Sequence, residues 1–210
     1  MTESPFASRL LGRAAQTGTV VSQTQALQLE RYYELLRKWN RRMNLTALPL
    51  DVSPSNETLD RLFLEPLVAA VFLSDQPLQC FDLGSGGGSP AIPLKIARQQ
   101  LVLTMVEARE RKSAFLREAV RHLGLMDVTV LTARAEALPE TLKNLADVVT
   151  LRALRLDSEL IASVRSLLKP GGCLVTFGLK AAPEGFSLAQ QLGLKGTDSV
   201  VSLFTVEDGL

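Results

Sequence analysis

Residues 80–94, Cys-Phe-Asp-Leu-Gly-Ser-Gly-Gly-Gly-Ser-Pro-Ala-Ile-Pro-Leu, restrict the possible folds more than any other stretch. Cys80 to Leu83 is a short apolar run that carries one carboxylate, Asp82, as a buried parallel strand would. Gly84, Gly86, Gly87 and Gly88 follow, and without a Cβ they permit tight turns and close approach of backbone to a ligand. Pro93 to Gln99 then reads as the start of a helix. Strand, glycine loop and helix in that order indicate an open α/β sheet, in which ligands bind at the carboxyl ends of the strands.

The remainder of the chain supports such a sheet. Leu101–Glu107, Val128–Leu131, Asp147–Leu151 and Cys173–Phe177 read as strands, with helices over Arg111–Leu123 and Ser158–Leu168 between them. Ser187–Leu194 and Ser199–Val206 read as two last strands, an antiparallel hairpin at one edge joined by residues 195–198. Ahead of the sheet the pattern is helical. Met1 to Gln23 shows no clear period and is read as a partly helical arm. Thr24–Met43 places Leu29, Tyr32, Tyr33, Leu36, Trp39 and Met43 on one stripe and Arg31, Lys38, Arg41 and Arg42 on the other face. Glu57–Leu73 is a second helix, kinked or split by Pro66. The expected fold class is α/β: a doubly wound, mostly parallel seven-stranded Rossmann-like sheet with an N-terminal helical extension. Residues 1–76 form the extension and 77–210 the sheet domain, packed as one unit.

Composition excludes several classes. No apolar stretch approaches the ~20 residues needed to span a bilayer, and Met1 to Gln16 lacks the pattern of a signal peptide. The chain is therefore read as cytoplasmic, with no membrane partner. Cys80 and Cys173 sit in apolar runs as inert thiols, and with His122 as the only histidine no metal site is expected. The net charge of +1 conceals an asymmetry. Residues 1–50 hold seven basic side chains against the acidic Glu3, Glu30 and Glu34, whereas residues 183–210 hold Lys195 against Glu184, Asp198, Glu207 and Asp208. A basic front end suits a polyanion such as nucleic acid, or is simply a solvated helix face.

The glycine spacing discriminates between ligands. A dinucleotide loop, G-x-G-x-x-G, would need glycine where this chain has Ser89, and the Gly-Lys-Ser/Thr of a phosphate-cradling loop is absent. Asp82-x-Gly84-x-Gly86-x-Gly88 instead resembles the loop of S-adenosylmethionine-dependent methyltransferases. Glu107, about twenty residues after the loop at the end of the second strand, stands where an acidic residue accepts from ribose hydroxyls, or is an exposed strand-end carboxylate. Ala135 and Glu136, after the third strand, lie where an adenine would be held, although Glu136 alone equally suits a helix start.

Several segments over residues 25–181 resemble one family, the bacterial glucose-inhibited division protein B family of 16S ribosomal RNA guanine-N7 methyltransferases. They are Leu36-Arg37-Lys38-Trp39-Asn40 with Asn44-Leu45-Thr46, the glycine loop continuing through Pro90 and Pro93, Glu107 with Arg111 to Leu116, Arg134-Ala135-Glu136, Arg152-Ala153, and Lys180. The resemblance implies S-adenosyl-L-methionine as cofactor and 16S ribosomal RNA, or the small ribosomal subunit, as partner in rRNA processing. It assigns Gly84, Ser89, Ala135, Glu136 and Arg152 to cofactor contacts, alongside Gly86, Gly88 and Glu107. Arg152, following the fourth strand, is a candidate for contact with cofactor or RNA, and Lys180 for a phosphate or for bulk solvent. The family pattern His-x-x-Asp-Ser-Leu is replaced here by Leu62, Glu65, Pro66 and Leu67, and an apolar position by Ser89.

After the fourth strand comes Leu151-Arg152-Ala153-Leu154, neither the Asn/Asp-Pro-Pro-aromatic element that receives exocyclic amines nor a nucleophilic cysteine. Transfer to a ring nitrogen is the expectation that survives, and it requires no general base. The alternatives are a methyltransferase of another RNA or a small molecule, and a degenerate cofactor-binding domain.

Overall fold

The computed structural model describes residues 4–207; the first residues of the arm and Asp208 lie outside the described residues. The arm is a full helix, α1 (Pro5–Thr17). Ser4 caps it by accepting from the Phe6 and Ala7 N–H groups, Pro5 occupies its first position, and Gly18 at φ 74° ends it. Its buried face is Phe6, Ala7, Leu10, Ala14 and Thr17. Helix α2 (Gln23–Asn40) starts in a reciprocal cap between Ser22 and Gln25 and buries Ala26, Leu29, Tyr32, Tyr33, Leu35 and Leu36.

Residues 56–72 stay helical past Pro66, with changes of pitch in place of a break. They run as α3 (Asn56–Leu59), a π-helical turn (Asp60–Leu64), α4 (Glu65–Ala69) and a 3₁₀ turn (Ala70–Phe72). The wide turn just before Pro66 absorbs the missing donor. Arg13 of α1 grips this turn through a two-pronged ion pair, its Nε 2.9 Å from Asp60 Oδ1 and its Nη2 2.6 Å from Oδ2.

The sheet has seven strands in the order β3-β2-β1-β4-β5-β7-β6. Strands β1 (Gln79–Leu83), β2 (Val102–Glu107), β3 (Val128–Thr132), β4 (Ala146–Arg152) and β5 (Leu168–Phe177) are parallel. Strands β6 (Phe186–Leu192) and β7 (Val201–Val206) form the expected antiparallel hairpin, but β7 is the inner strand and pairs with β5. Leu168, expected at the end of a helix, begins β5, so α7 is Ser158–Leu167. Arg152 is the last residue of β4, where the sequence suggested it follows the strand.

Helices α5 (Ala91–Ala97) and α6 (Glu110–Leu123) cover one face together with the N-terminal helices, in a core that runs from Phe6 through Phe63, Ile92 and Phe115 to Val201. The other face is thinner. There α7 packs on Phe81, Val149, Leu174 and Phe204, and the long β3–β4 connection supplies only 3₁₀ turns, Ala135–Ala137 and Glu140–Leu142. Among the described residues no helix is long and apolar enough to cross a membrane.

Candidate functional site

The glycine loop leaves β1 at the centre of the sheet. The Gly84 and Ser85 N–H groups both donate to Val106 O, at 2.8 and 3.0 Å, which turns the chain over the end of β2. Gly84 lies at φ 71°, and a Cβ there would come 2.8 Å from Leu154 Cδ1 on the loop after β4. Glu107 fastens the next part of the loop: its Oε2 accepts from the Gly86 N–H at 2.9 Å and its Oε1 from the Arg109 N–H at 2.9 Å. It is only 7% exposed, so the exposed strand-end reading does not describe it. An ionised carboxylate offers about four acceptor sites, which leaves Glu107 able to take further hydroxyl donors.

A second wall comes from α2. The Tyr32 hydroxyl, buried within the apolar stripe, donates to Gly87 O at 2.6 Å. Asn40 at the end of α2 folds the following turn: its Oδ1 accepts from the Leu45 and Thr46 N–H groups at 2.8 and 3.1 Å, and its Nδ2 donates to Thr46 O at 3.3 Å. The turn thereby brings Leu45 O to within 3.1 Å of where a Gly87 Cβ would stand. Trp39 packs against Phe115 of α6, ring centroids 5.8 Å apart. Thus Trp39, Asn40, Leu45 and Thr46 act as one unit that folds a loop over the glycines.

The third wall is the end of β4. Arg152 Nη2 lies 2.7 Å from Glu65 Oε2, its Nη1 donates to Arg61 O, and its guanidinium carbon sits 4.2 Å from the centroid of the Phe177 ring. Burial lowers the Arg152 pKa to about 10 and raises that of Glu65, while each charge opposes the other's shift, and at 2.7 Å the two side chains are paired away from solvent. One strand over, Asp82 is 1% exposed, with Oδ1 accepting from Thr150 Oγ1 at 2.5 Å. Burial pushes its pKa up to about 6, against the pull of Ser85, Thr150 and Arg152. Asp82 Oδ2 and Arg152 Nε are buried and have no hydrogen-bond partner among the described residues. Such unpartnered groups are costly unless a ligand completes them. An acceptor and a donor of this kind match the ammonium and carboxylate of an amino-acid group, which is one end of S-adenosylmethionine.

These walls enclose a cavity of about 750 Å³, within the range of small-ligand sites. Of the residues singled out in the sequence, Gly84, Gly86, Ser89, Glu107 and Arg152 line it. Gly88 lies beneath the loop, where a Cβ would meet Ile92 Cδ1 at 2.6 Å. Ala135 and Glu136 are on a 3₁₀ turn outside the lining, Ala135 against the second core and Glu136 exposed. Lys180 is exposed beyond β5 and does not reach the cavity, and its carbonyl accepts from Gln191 Nε2. The sequence reading passed over Tyr32 as a site residue because a tyrosine on an apolar stripe looks like core. Arg61 and Arg109, which carry no sequence signal of their own, and Lys112 of the family segment add positive charge to the cavity wall.

The comparisons with known proteins agree with this geometry. A family model described as rRNA small subunit methyltransferase G matches residues 25–195. The ribosomal RNA small subunit methyltransferase G of Xanthomonas oryzae pv. oryzae is 37% identical, over 97% of this chain and 96% of its own. That of Roseiflexus castenholzii is 37% identical, over 87% of this chain and 75% of its own. Among solved structures, a SAM-dependent methyltransferase from Aquifex aeolicus superposes with a TM-score of 0.55 at 14% identity, covering 82% of this chain and 96% of its own. A 16S rRNA adenine methyltransferase from Catenulisporales acidiphilia gives a TM-score of 0.51 at 15% identity, covering 69% of this chain and 90% of its own. At those identities the two structures support the fold alone.

Proposed function

Since the chain belongs to the rRNA small subunit methyltransferase G family, we propose that it transfers a methyl group from S-adenosyl-L-methionine to N7 of a guanine in 16S ribosomal RNA, met as free RNA or in the small ribosomal subunit. The observation that carries the reading is one cavity lined by the glycine loop, Glu107 and Arg152, with the buried and unpartnered Asp82 Oδ2 in the strand that feeds that loop. Asp82 and Arg152 would hold the amino-acid end of the cofactor, Glu107 its ribose, and the backbone of Gly84 to Ser89 would approach it closely. Ala135 and Glu136 are assigned to the adenine end. In support, the Ala133 N–H donates to Glu107 O at 3.2 Å, so their turn starts beside the ribose position.

When bound, S-adenosylmethionine would supply an electrophilic methyl carbon on a sulfonium sulfur, and its transfer to the N7 lone pair, with the thioether as leaving group, would leave no proton to remove. The protein's contribution is then orientation, which can supply ~7–11 kcal/mol, and exclusion of water. The apolar Leu154 over Gly84 and the 40–46 turn over Gly87 fit that task. An acceptor guanine must be exposed, as in an RNA loop, because duplex RNA hides its base edges. The exposed Lys38, Arg41 and Arg42 at the end of α2 suit the RNA backbone, as does Lys180 past β5. Residues 1–76 are read as a helical extension to a methyltransferase domain over 77–210, packed as one unit through the shared core, and the ribosomal substrate implies a cytoplasmic enzyme.

The test is incubation with labelled S-adenosylmethionine and 16S RNA, 30S particles or small metabolites. Label at N7 of a single guanine is the expected result. Label in a small molecule, or cofactor binding with no transfer to any acceptor, would overturn it.

A further inference from the structure

In the helical run before the sheet, Pro66 withholds a donor from two carbonyl groups. The Glu65 N–H bonds back to Asp60 O, five residues away, and so passes over Arg61. Pro66 has no N–H for either Arg61, five residues before it, or Leu62, four before it. Both carbonyls are taken by side chains from the cleft. Leu62 O accepts from Ser89 Oγ at 2.8 Å, and Arg61 O accepts from Arg152 Nη1. The same turn supplies Glu65, with Oε2 2.7 Å from Arg152 Nη2 and Oε1 accepting from Ser199 Oγ at 2.9 Å. Glu65 is not part of the cavity lining.

Two departures from the family pattern, Pro66 and Ser89, therefore meet through one carbonyl group. The turn also ties together the glycine loop, the end of β4 and the connection between β6 and β7. Arg152 has its terminal nitrogens engaged by this turn and its face covered by Phe177, and its Nε is left without a partner.

We infer that Glu65 is a positioning residue for cofactor binding: with the Arg61 carbonyl it fixes the Arg152 guanidinium in the cavity wall, where it meets the ligand's carboxylate. Ser89, by holding the Leu62 carbonyl, keeps the glycine loop in register with the same turn. The inference rests on S-adenosylmethionine being the ligand of the cavity.

Calorimetric titration of S-adenosylmethionine into four proteins tests it: the unaltered protein, Glu65→Gln, Arg152→Ala and the double variant. Glutamine keeps the size of the side chain and an acceptor for Ser199 but removes the charge that orients Arg152. The expected result is a Kd raised about tenfold by Glu65→Gln, the order expected when a buried charge loses its orienting partner. No further rise is expected from that change once Arg152 is alanine. An unchanged Kd in Glu65→Gln, or the same loss in both backgrounds, would overturn the inference, because a merely structural carboxylate would act independently of Arg152. If Glu65→Gln does not fold, Glu65→Asp retains the charge and shortens the reach; it is expected to weaken binding, and undiminished affinity would overturn the inference. Absence of binding by the unaltered protein would instead overturn the cofactor reading together with this one.

Discussion

The hydroxyl of Tyr32 donates to the carbonyl oxygen of Gly87 at 2.6 Å, so a buried residue of the N-terminal helices holds the tip of the glycine loop. Tyr32→Phe leaves the ring in the core and removes only this bond. The Gly87 carbonyl then loses that donor, a cost of about 1–2 kcal/mol. Urea denaturation should show that loss, and titration of S-adenosylmethionine should show a severalfold weaker Kd.

The glycines of the loop differ in what they tolerate. At Gly86 a Cβ would make only ordinary contacts, with Gly84 O at 3.7 Å and Leu45 O at 4.0 Å, and φ is 53°. Aspartate tolerates that region of backbone better than most residues, so Gly86→Asp should fold. Its carboxylate would stand beside Glu107, and cofactor binding should be lost. At Gly88, φ is 92° and a Cβ would strike Ile92 Cδ1 at 2.6 Å and approach Leu116 Cδ2 at 3.3 Å. Gly88→Ala should therefore cost about 1–3 kcal/mol of stability. Thermal melts separate the two variants.

The raised pKa of Asp82 makes opposite predictions for stability and for binding. Burial lifts its folded value to about 6 from an ordinary 3.8, so between those values the folded protein binds a proton that the unfolded chain has released. Stability from this group is thus greatest below 3.8, falls as pH rises through about 6, and is then lower by roughly 3 kcal/mol. Asp82→Asn should flatten that limb of a stability–pH curve. Binding should run the other way: an ammonium group needs the carboxylate, so affinity for S-adenosylmethionine should fall as pH drops through about 6, with the fold intact by circular dichroism.

The basic end of α2 predicts a loss confined to RNA. Lys38, Arg41 and Arg42 are exposed and none lines the cavity. Replacing all three with alanine should weaken RNA binding and flatten its salt dependence by about 0.7–0.9 in slope for each phosphate contact removed. The Kd for S-adenosylmethionine should not change. Filter binding across a salt series and calorimetry check the two halves.

The strands and the glycine loop were readable because each is written in neighbouring residues: an apolar run, a carboxylate, glycines at fixed spacing. Asn40, Leu45 and Thr46 were readable as a family signature but not as a folded turn, because their hydrogen bonds run between a side chain and backbone five and six residues away. Helix α1 was hidden by a stripe made partly of alanine and threonine, Ala7, Ala14 and Thr17, which carry little hydrophobic signal. Pro66 advertised a broken helix. That the break is taken up by a wider turn, and that Ser89 and Arg152 take the released carbonyls, depends on contacts across 27 and 91 residues of chain. No local pattern encodes partners so far apart.

The strand order also sets a timetable for synthesis. Strand β6 emerges before β7, yet β7 is its neighbour and also the outer neighbour of β5. A nascent chain that has reached residue 198 already carries Asp82, Glu107 and Arg152, but β5 has no partner on its outer side and Glu65 Oε1 still awaits Ser199. The support behind the cleft is completed late, when the segment from Ser199 to Val206 takes its place between β5 and β6. Until then the chain displays an unpaired strand edge, the state most open to mispairing and to chaperones.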